Sequence, residues 1–194
     1  MTTLLDTVGN ASDVVIYAMD ETYVRLESQN RRSWSPKGIS PILERNNLHI
    51  GVNIVGASQI HGSFETFADI YSSSHSITNK EVCKFFDYLL EINKDKKVYI
   101  VMDNARTHNC SGMQQYLNSK ENLVLINLPI YSPDLNPQEN IWNRLKNCIF
   151  SSRARANIED LFDDIVNIYE KLNQNKSIEK SVTYARNYYV LMYV

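Results

Sequence analysis

The stretch Leu128–Lys146 reads LPIYSPDLNPQENIWNRLK, and it decides the fold because it fixes one carboxylate, that of Glu139, at a helix start. Asn136 is a favourable N-cap, Pro137 suits the first helical position, and Glu139 then falls at N3. A capping-box glutamate at N3 reaches back to the N-cap N–H, so a purely structural Glu139 is one interpretation. A helix N-terminus also favours negative charge, which would keep Glu139 ionised for metal binding. Asp134 is a rival metal ligand in the same loop.

Two strand-like runs upstream each end in an acid. VVIYAMDE ends at Asp20 and Glu21, and VYIVMDN ends at Asp103 and Asn104. Either aspartate could simply open a turn, since Asp is a common turn residue. The repetition of the same arrangement weakens both of these alternatives together. If the two aspartates converge with Glu139, their oxygens can hold divalent metal ions.

Composition limits the classes of protein. With 194 residues and 43% hydrophobic content, the chain can bury one substantial core but not two full-sized domains. Its apolar runs fall short of the roughly 18 residues that a membrane span needs, and residues 1–13 lack the basic start of a secretory signal. Three cysteines without C-x-x-C spacing fit reduced thiols in a cytoplasmic or nuclear setting.

Basic residues are clustered although the net charge is −2. Residues 140–158 contain no acid, and residues 31–37 surround Trp34 with positive charge. The basic side chains of these two segments are Arg31, Arg32, Lys37, Arg144, Lys146, Arg153 and Arg155. Basic patches beside carboxylates suit an enzyme that grips a phosphate backbone, whereas a solvated charged surface is the simpler alternative.

The element order predicts an α/β fold with a mixed central sheet flanked by helices. The predicted strands are 14–19, 22–26 (across a very short turn), 49–55, an extended piece at 62–70, 97–102 and 123–128, with a loop at 31–41 and a turn at 56–59. Helices are predicted from Thr78, with a capping box to Glu81, over 111–117, from Pro137, and over 158–172, with Asn157 and Asp160 as cap.

The apolar spacing of the last two helices predicts which faces are buried. The expected core stripes are Ile141, Leu145 and Cys148 in one helix and Ile158, Leu161, Phe162, Ile165, Tyr169 and Leu172 in the other. Asn143 and Lys146 then share the polar face of Glu139. That face can point at a substrate.

Four sequence blocks resemble the catalytic domain of DDE transposases of the mariner superfamily and related bacterial insertion-sequence transposases. The blocks are MDETYVRL, RRSWSPKG, VMDNARTH and the opening stretch, and they span roughly residues 14–150. Asp103 and Glu139 are separated by 35 residues, close to the spacing usual in that family. In this order and spacing, the four blocks together are specific to that family.

The resemblance implies a ribonuclease H-like fold in which Asp20, Asp103 and Glu139 are the catalytic and metal-binding triad. It also implies two Mg²⁺ ions, with Mn²⁺ as substitute, and cleavage of transposon ends followed by joining to target DNA. We expect a lead-in over 1–13, the DDE catalytic domain over 14–173, and a helical C-terminal extension over 174–194 that packs on the same domain.

Supporting roles follow for residues in the matching blocks. His108 would order the active-site loop or approach a phosphate, although a hydrogen-bonded structural histidine is as plausible. Asn104 would fix the turn or a water, and Asn143 would support the site. DNA contacts are expected from Arg31, Arg32, Trp34, Lys37, Arg144 and Lys146, with a packed Trp34 as the alternative.

By the same resemblance, we expect transposon-end and target DNA as partners, a homodimer assembled on DNA, and no membrane association. The first catalytic strand starts by about Val14, so we expect no helix-turn-helix recognition module in this chain. The location would be the nucleus in a eukaryote or the cytoplasm in a bacterium. A ribonuclease H-like nuclease and a domesticated, non-catalytic DNA-binding or assembly protein remain as alternatives.

Overall fold

Five strands form one mixed sheet in the order β3-β2-β1-β4-β5. The computed structural model describes residues 12–27, 34–40, 42, 49–105, 110–129, 132–149 and 155–174. The strands are β1 (Val14–Arg25), β2 (Gly51–Gln59), β3 (Thr66–Ser72), β4 (Lys97–Met102) and β5 (Leu123–Asn127). β1, β2 and β3 pair antiparallel, whereas β4 and β5 continue the sheet parallel to β1. The predicted mixed sheet is confirmed.

β1 is one continuous strand, so the predicted turn at Asp20 and Glu21 is wrong. Its antiparallel pairing with β2 runs without a break to the Arg25–Gly51 pair, and Asp20 lies opposite Gly56. The predicted turn at residues 56–59 is wrong for the same reason, since these residues belong to β2. A long ladder of backbone hydrogen bonds outweighs the turn preference of one aspartate.

Four described helices cover the two faces of the sheet: α1 (Asn79–Glu91), α2 (Ser111–Asn118), α3 (Pro137–Ile149) and α4 (Ile158–Gln174). Odd-numbered residues of β1, such as Tyr17 and Met19, pack with α1 and α2. Even-numbered ones, such as Ile16 and Ala18, face the side of α3 and α4. The period-two alternation of a strand therefore sends Asp20 to the α3 side.

The predicted helix starts are confirmed. Thr78 and Glu81 form a reciprocal capping box at α1, and the side chain of Asn157 accepts a hydrogen bond from the Asp160 N–H at 2.8 Å. Both caps satisfy backbone donors that a first helical turn leaves unpaired.

Two predicted core positions are wrong. Cys148 is exposed, and 44% of Phe162 is exposed. The buried stripe of α3 is instead Gln138, Ile141, Trp142, Leu145 and Ile149. The buried face of α3 is therefore rotated from the predicted one. It contains the Trp142 ring and the hydrogen-bonded Gln138 amide, and the Cys148 thiol lies outside it.

No helix within the described ranges is long and apolar enough to cross a membrane. The predicted C-terminal extension lies outside those ranges except for Gln174, which ends α4.

Candidate active site

The register of β1 and β4 places two aspartates just beyond the carboxyl end of their parallel pairing. The parallel pairing ends at Ala18 and Val101, both buried on the α3 side. Asp20 and Asp103 each follow two residues later. Because side chains alternate along a strand, Asp20 leaves the sheet on the α3 side, and Asp103 follows directly after the end of β4.

Asn136 connects the strand of the first acid to the helix of the third. Its side-chain amide donates to the Met19 carbonyl at 3.0 Å, and its side-chain oxygen accepts from the Gln138 N–H at 3.1 Å. Asn136 is therefore the predicted N-cap of α3, and it is buried. One side chain thus sets the start of α3, and with it Glu139, beside Asp20.

The capping-box interpretation of Glu139 is not realised. The hydrogen bond that joins these two residues is a backbone one, in which the Glu139 N–H donates to the Asn136 carbonyl at 3.1 Å. The Glu139 carboxylate makes no hydrogen bond to the Asn136 N–H. The half-buried Glu139 side chain therefore does not cap its own helix.

The negative charges of the other acids act on Asp20. Burial, followed by the negative charges of Glu139 and Glu21 and more weakly of Asp103, raises the pKa of Asp20 to about 7. Asp134 is not among the main causes of this shift. A carboxyl whose ionisation is opposed by burial and by like charges is a site where a cation is strongly favoured.

Asp103 combines a turn with an exposed carboxylate. Its Oδ1 accepts a hydrogen bond from the Ala105 N–H at 3.0 Å, and its side chain is exposed. Asn104 donates to the Leu128 carbonyl at 2.5 Å and ties this turn to the end of β5. Of the two roles predicted for Asn104, fixing the turn is therefore the one the geometry supports.

Trp142 is a member of the site that sequence reasoning missed as a functional residue. Its Nε1 donates to Oδ2 of Asp20 at 3.1 Å, and the side chain is almost fully buried. Trp142 lies one turn after Glu139 in α3, and this spacing is the sequence feature that could have pointed to it.

Gly56 makes room for this arrangement. It pairs with Asp20 across β1 and β2. A Cβ at this position would overlap Cη2 of Trp142 and would lie 3.1 Å from Nε2 of Gln138. Gln138 is itself buried, and its Oε1 accepts from the Ser58 hydroxyl at 2.7 Å. The absence of a side chain at Gly56 thus lets α3 approach the strand beside Asp20.

The predicted DNA-contacting residues are only partly described. Trp34 and Lys37 are exposed, so the packed alternative for Trp34 is wrong. On α3, Asn143 is exposed, and Arg144 and Lys146 are half-buried. The remaining predicted residues, Arg31, Arg32 and His108, lie outside the described residues.

Arg155 departs from the predicted basic patch. Its guanidinium donates to Oδ2 of Asp164 at 2.8 Å and to the Ile149 carbonyl at 2.5 Å. It therefore ties the end of α3 to α4 and serves packing of the two helices.

The donor set fits a hard divalent cation. The candidate ligands Asp20, Asp103 and Glu139 offer only carboxylate oxygens, which suit Mg²⁺ or Mn²⁺. Across the described ranges, however, no three His, Cys, Asp or Glu side chains form a metal-binding group as they stand. Ligation of one ion by all three therefore requires the side chains to draw closer together.

Comparison with known families identifies the class of protein. A family model described as DDE superfamily endonuclease matches residues 15–162. The chain belongs to this family. A search of the curated proteins found no match.

Solved structures of the mariner transposase Mos1 share the fold. The Mos1 paired end complex with Mn has 13% identity and a TM-score of 0.70, with 88% of this chain and 52% of that chain covered. The paired-end complex with the left transposon end has 14% identity and a TM-score of 0.64, covering 95% and 59%. The Mos1 catalytic domain with raltegravir and Mg has 12% identity and a TM-score of 0.55, covering 87% and 76%. The chain spans just over half the length of the first two, and the predicted ribonuclease H-like fold is confirmed.

Proposed function

We propose that this chain is the catalytic part of a transposase, which cleaves DNA ends and transfers them to target DNA with divalent metal ions held by Asp20, Asp103 and Glu139. The observation that supports the proposal most is the Asn136 tether, since its bond to the Met19 carbonyl ties the helix of Glu139 to the strand of Asp20. The β1–β4 register adds to it, because Asp20 and Asp103 each follow their paired residues by two. The charge interaction of Asp20 with both other acids supports it.

The metals and DNA of similar proteins add support. The Mos1 complexes are described with Mn, with Mg, and with a transposon end. For this chain we propose two Mg²⁺ ions, replaceable by Mn²⁺, and DNA ends and target DNA as substrates. We also propose that the protein forms a homodimer on DNA. Its location would be the nucleus in a eukaryote or the cytoplasm in a bacterium.

The chemistry is an in-line displacement at phosphorus. Bound ions would activate the attacking oxygen and stabilise the leaving one. That attacking oxygen, from water in cleavage and from a 3′-hydroxyl in strand transfer, bonds to phosphorus as the bond to the leaving oxygen breaks. The attacking oxygen loses its proton to solvent, and the leaving oxygen takes one up.

The residues of the chain contribute orientation to this reaction. The backbone of Asp20 lies inside the β1–β2 ladder, which fixes the position from which its carboxylate extends. Asp103 lies just past the end of β4, and Glu139 lies in the first turn of α3, where the helix N-terminus favours its negative charge.

DNA would lie along α3 and the loop that holds Trp34 and Lys37. Asn143 and Lys146 follow Glu139 along one side of the helix at i+4 and i+7. Contacts of this kind address phosphates, so we expect binding with little sequence preference and a steep dependence on salt. Arg31, Arg32 and Arg144 would add to the same interaction, and His108 would support the active-site loop.

Nicking of DNA tests the proposal. The protein is incubated with Mn²⁺ and either supercoiled plasmid or a labelled RNA–DNA hybrid, beside Asp103→Asn and the matched control Asp134→Asn. We expect plasmid nicking by the wild type and by Asp134→Asn, and none by Asp103→Asn. Cleavage of the hybrid alone would replace the transposase proposal with a ribonuclease, and cleavage of neither substrate would leave a non-catalytic DNA-binding role.

A further inference from the structure

Trp142 is buried against the strand that carries Asp20, and it uses its one polar atom on that carboxylate. Nε1 of Trp142 lies 3.1 Å from Oδ2 of Asp20. We propose that Trp142 is a positioning residue, which holds Oδ2 so that Oδ1 of Asp20 faces the metal ions. This inference rests on the proposed function, because it assigns an oxygen of Asp20 to the ions.

The indole can act only as a positioning group. It donates one hydrogen bond and accepts none, so it neither ligates a cation nor changes the charge of the site. An aspartate carboxylate otherwise rotates with little preference about its last torsion, because that torsion is a broad sp³–sp² one. A fixed donor on one oxygen therefore selects one orientation of the other.

The ring is held on both sides. Towards β2 it lies over Gly56, where even a Cβ would overlap Cη2 of the ring. Within the core it packs with Leu145, Ile54 and Val52 in one buried cluster. Since Trp142 follows Glu139 by three residues in α3, the same helix carries a candidate ligand and the group that orients a second one.

Hydrogen-bonding partners of metal ligands commonly contribute about 10- to 100-fold in metal affinity or activity. Trp142 would supply such a contribution without facing the substrate. The effect must appear in metal binding itself, before any DNA is added, and this requirement separates the proposal from a general role in catalysis.

Fluorescence gives a first test that leaves Trp142 intact. The chain has two tryptophans, so Trp34→Phe makes Trp142 the sole indole and serves as the parent. We expect Mg²⁺ to shift the emission of the parent and to leave that of the parent carrying Asp20→Asn unchanged. Calorimetric Mg²⁺ binding by the parent with no change in Trp142 emission would overturn the inference.

Trp142→Phe gives the second test, since it keeps a ring and removes the N–H. Mn²⁺ affinity is measured from the electron paramagnetic resonance of free Mn²⁺, and folding from thermal melts. We expect roughly a tenfold weaker affinity for Trp142→Phe. The matched control Leu145→Ala removes packing from the same helix and cluster, and we expect it to lower the melting temperature with no loss of affinity.

The outcomes separate the two proposals. Wild-type protein that binds Mn²⁺, loses it in Asp20→Asn and keeps full affinity in Trp142→Phe would overturn the role of Trp142 and leave the proposed function standing. Wild-type protein that binds no Mn²⁺ would overturn the metal site and this inference with it.

Discussion

The side-chain amide of Asn136 donates to the main-chain oxygen of Met19 at 3.0 Å, across 117 positions of sequence. Met19 directly precedes Asp20, and Asn136 caps the helix of Glu139. The same side chain thus stabilises a helix start and sets the separation of two acids. Stability and the geometry of the site are coupled through it.

Replacement of Asn136 should therefore cost more than loss of a cap. Asn136→Ala removes the cap and leaves the buried Met19 carbonyl without its donor, so we expect a loss of about 2–4 kcal/mol in the free energy of unfolding. Asn157→Ala, which removes only an exposed cap, should lose about 1 kcal/mol. Urea denaturation measures both. Equal losses in the two variants would show that the bond to Met19 contributes nothing.

Replacement by alanine should be less well tolerated at Gly56 than at Gly62. Gly56→Ala forces Trp142 away from β2, and we expect a loss of about 1–3 kcal/mol from overpacking together with weaker Mn²⁺ binding. Gly62 has a φ of +95°, and a Cβ added there would meet no atom within 4 Å. Gly62→Ala should therefore cost about 1 kcal/mol through backbone conformation alone. Thermal melts and Mn²⁺ titrations distinguish them. Weakened metal binding in Gly62→Ala would argue against a local effect at Gly56.

The pH dependence of stability should report the ionisation of Asp20. In the unfolded chain an aspartate has a pKa of about 3.9, and in the fold that of Asp20 is raised to about 7. Ionisation therefore opposes folding: the cost is absent below about pH 4, grows as pH rises towards 7, and is complete above it.

Asp20→Asn removes this cost. In chelator at pH 8 we expect the variant to exceed the wild type in unfolding free energy by an amount on the order of 2 kcal/mol, and to match it near pH 4. Asp134→Asn should follow the wild-type curve. Melting temperatures measured from pH 4 to 8 check this, and parallel curves for wild type and Asp20→Asn would contradict it.

Two basic residues close in sequence should behave in opposite ways. Lys146→Ala should leave stability almost unchanged and reduce the salt dependence of DNA binding by about one unit of slope. Arg155→Ala should lose about 1–3 kcal/mol of stability, because a charge-assisted bond to Asp164 and a bond to the Ile149 carbonyl disappear. Denaturation and binding titrations at several salt concentrations measure both quantities. A reduced salt slope in a folded Arg155→Ala would return that residue to the DNA-binding surface.

Local sequence chemistry predicted the helix starts and two of the five strands closely. Thr78 with Glu81, and Asn157, are caps whose partners lie within three residues, so the pattern is complete within a short stretch. The strand at 97–102 likewise follows from its own apolar run. Pairing between distant strands could not be predicted in this way. The turn predicted at Asp20 is absent because β2, more than thirty residues away, pairs with this part of β1.

The sequence suggested the acids of the proposed site but not the residues that surround them. Spacing and resemblance pointed to Asp20, Asp103 and Glu139, which stay the proposed ligands. The contact of Trp142 with Asp20 and the need for Gly56 depend on how α3 crosses the sheet, and this crossing follows from packing rather than local propensity. The exposed Cys148 and Phe162 have the same origin, because helical periodicity alone tolerates a rotation of the helix.

β1 outruns β4, because parallel pairing stops at Ala18 whereas antiparallel pairing continues to Arg25. Among the described strands, Asp20 consequently has a paired neighbour on one flank only, and Asp103 stands beyond the end of its own strand. The two aspartates therefore differ in their backbone setting: Asp20 belongs to a strand of the sheet, whereas Asp103 lies in a turn. The unequal length of two neighbouring strands thus leaves one candidate ligand within a hydrogen-bonded ladder and the other in the turn that follows its strand.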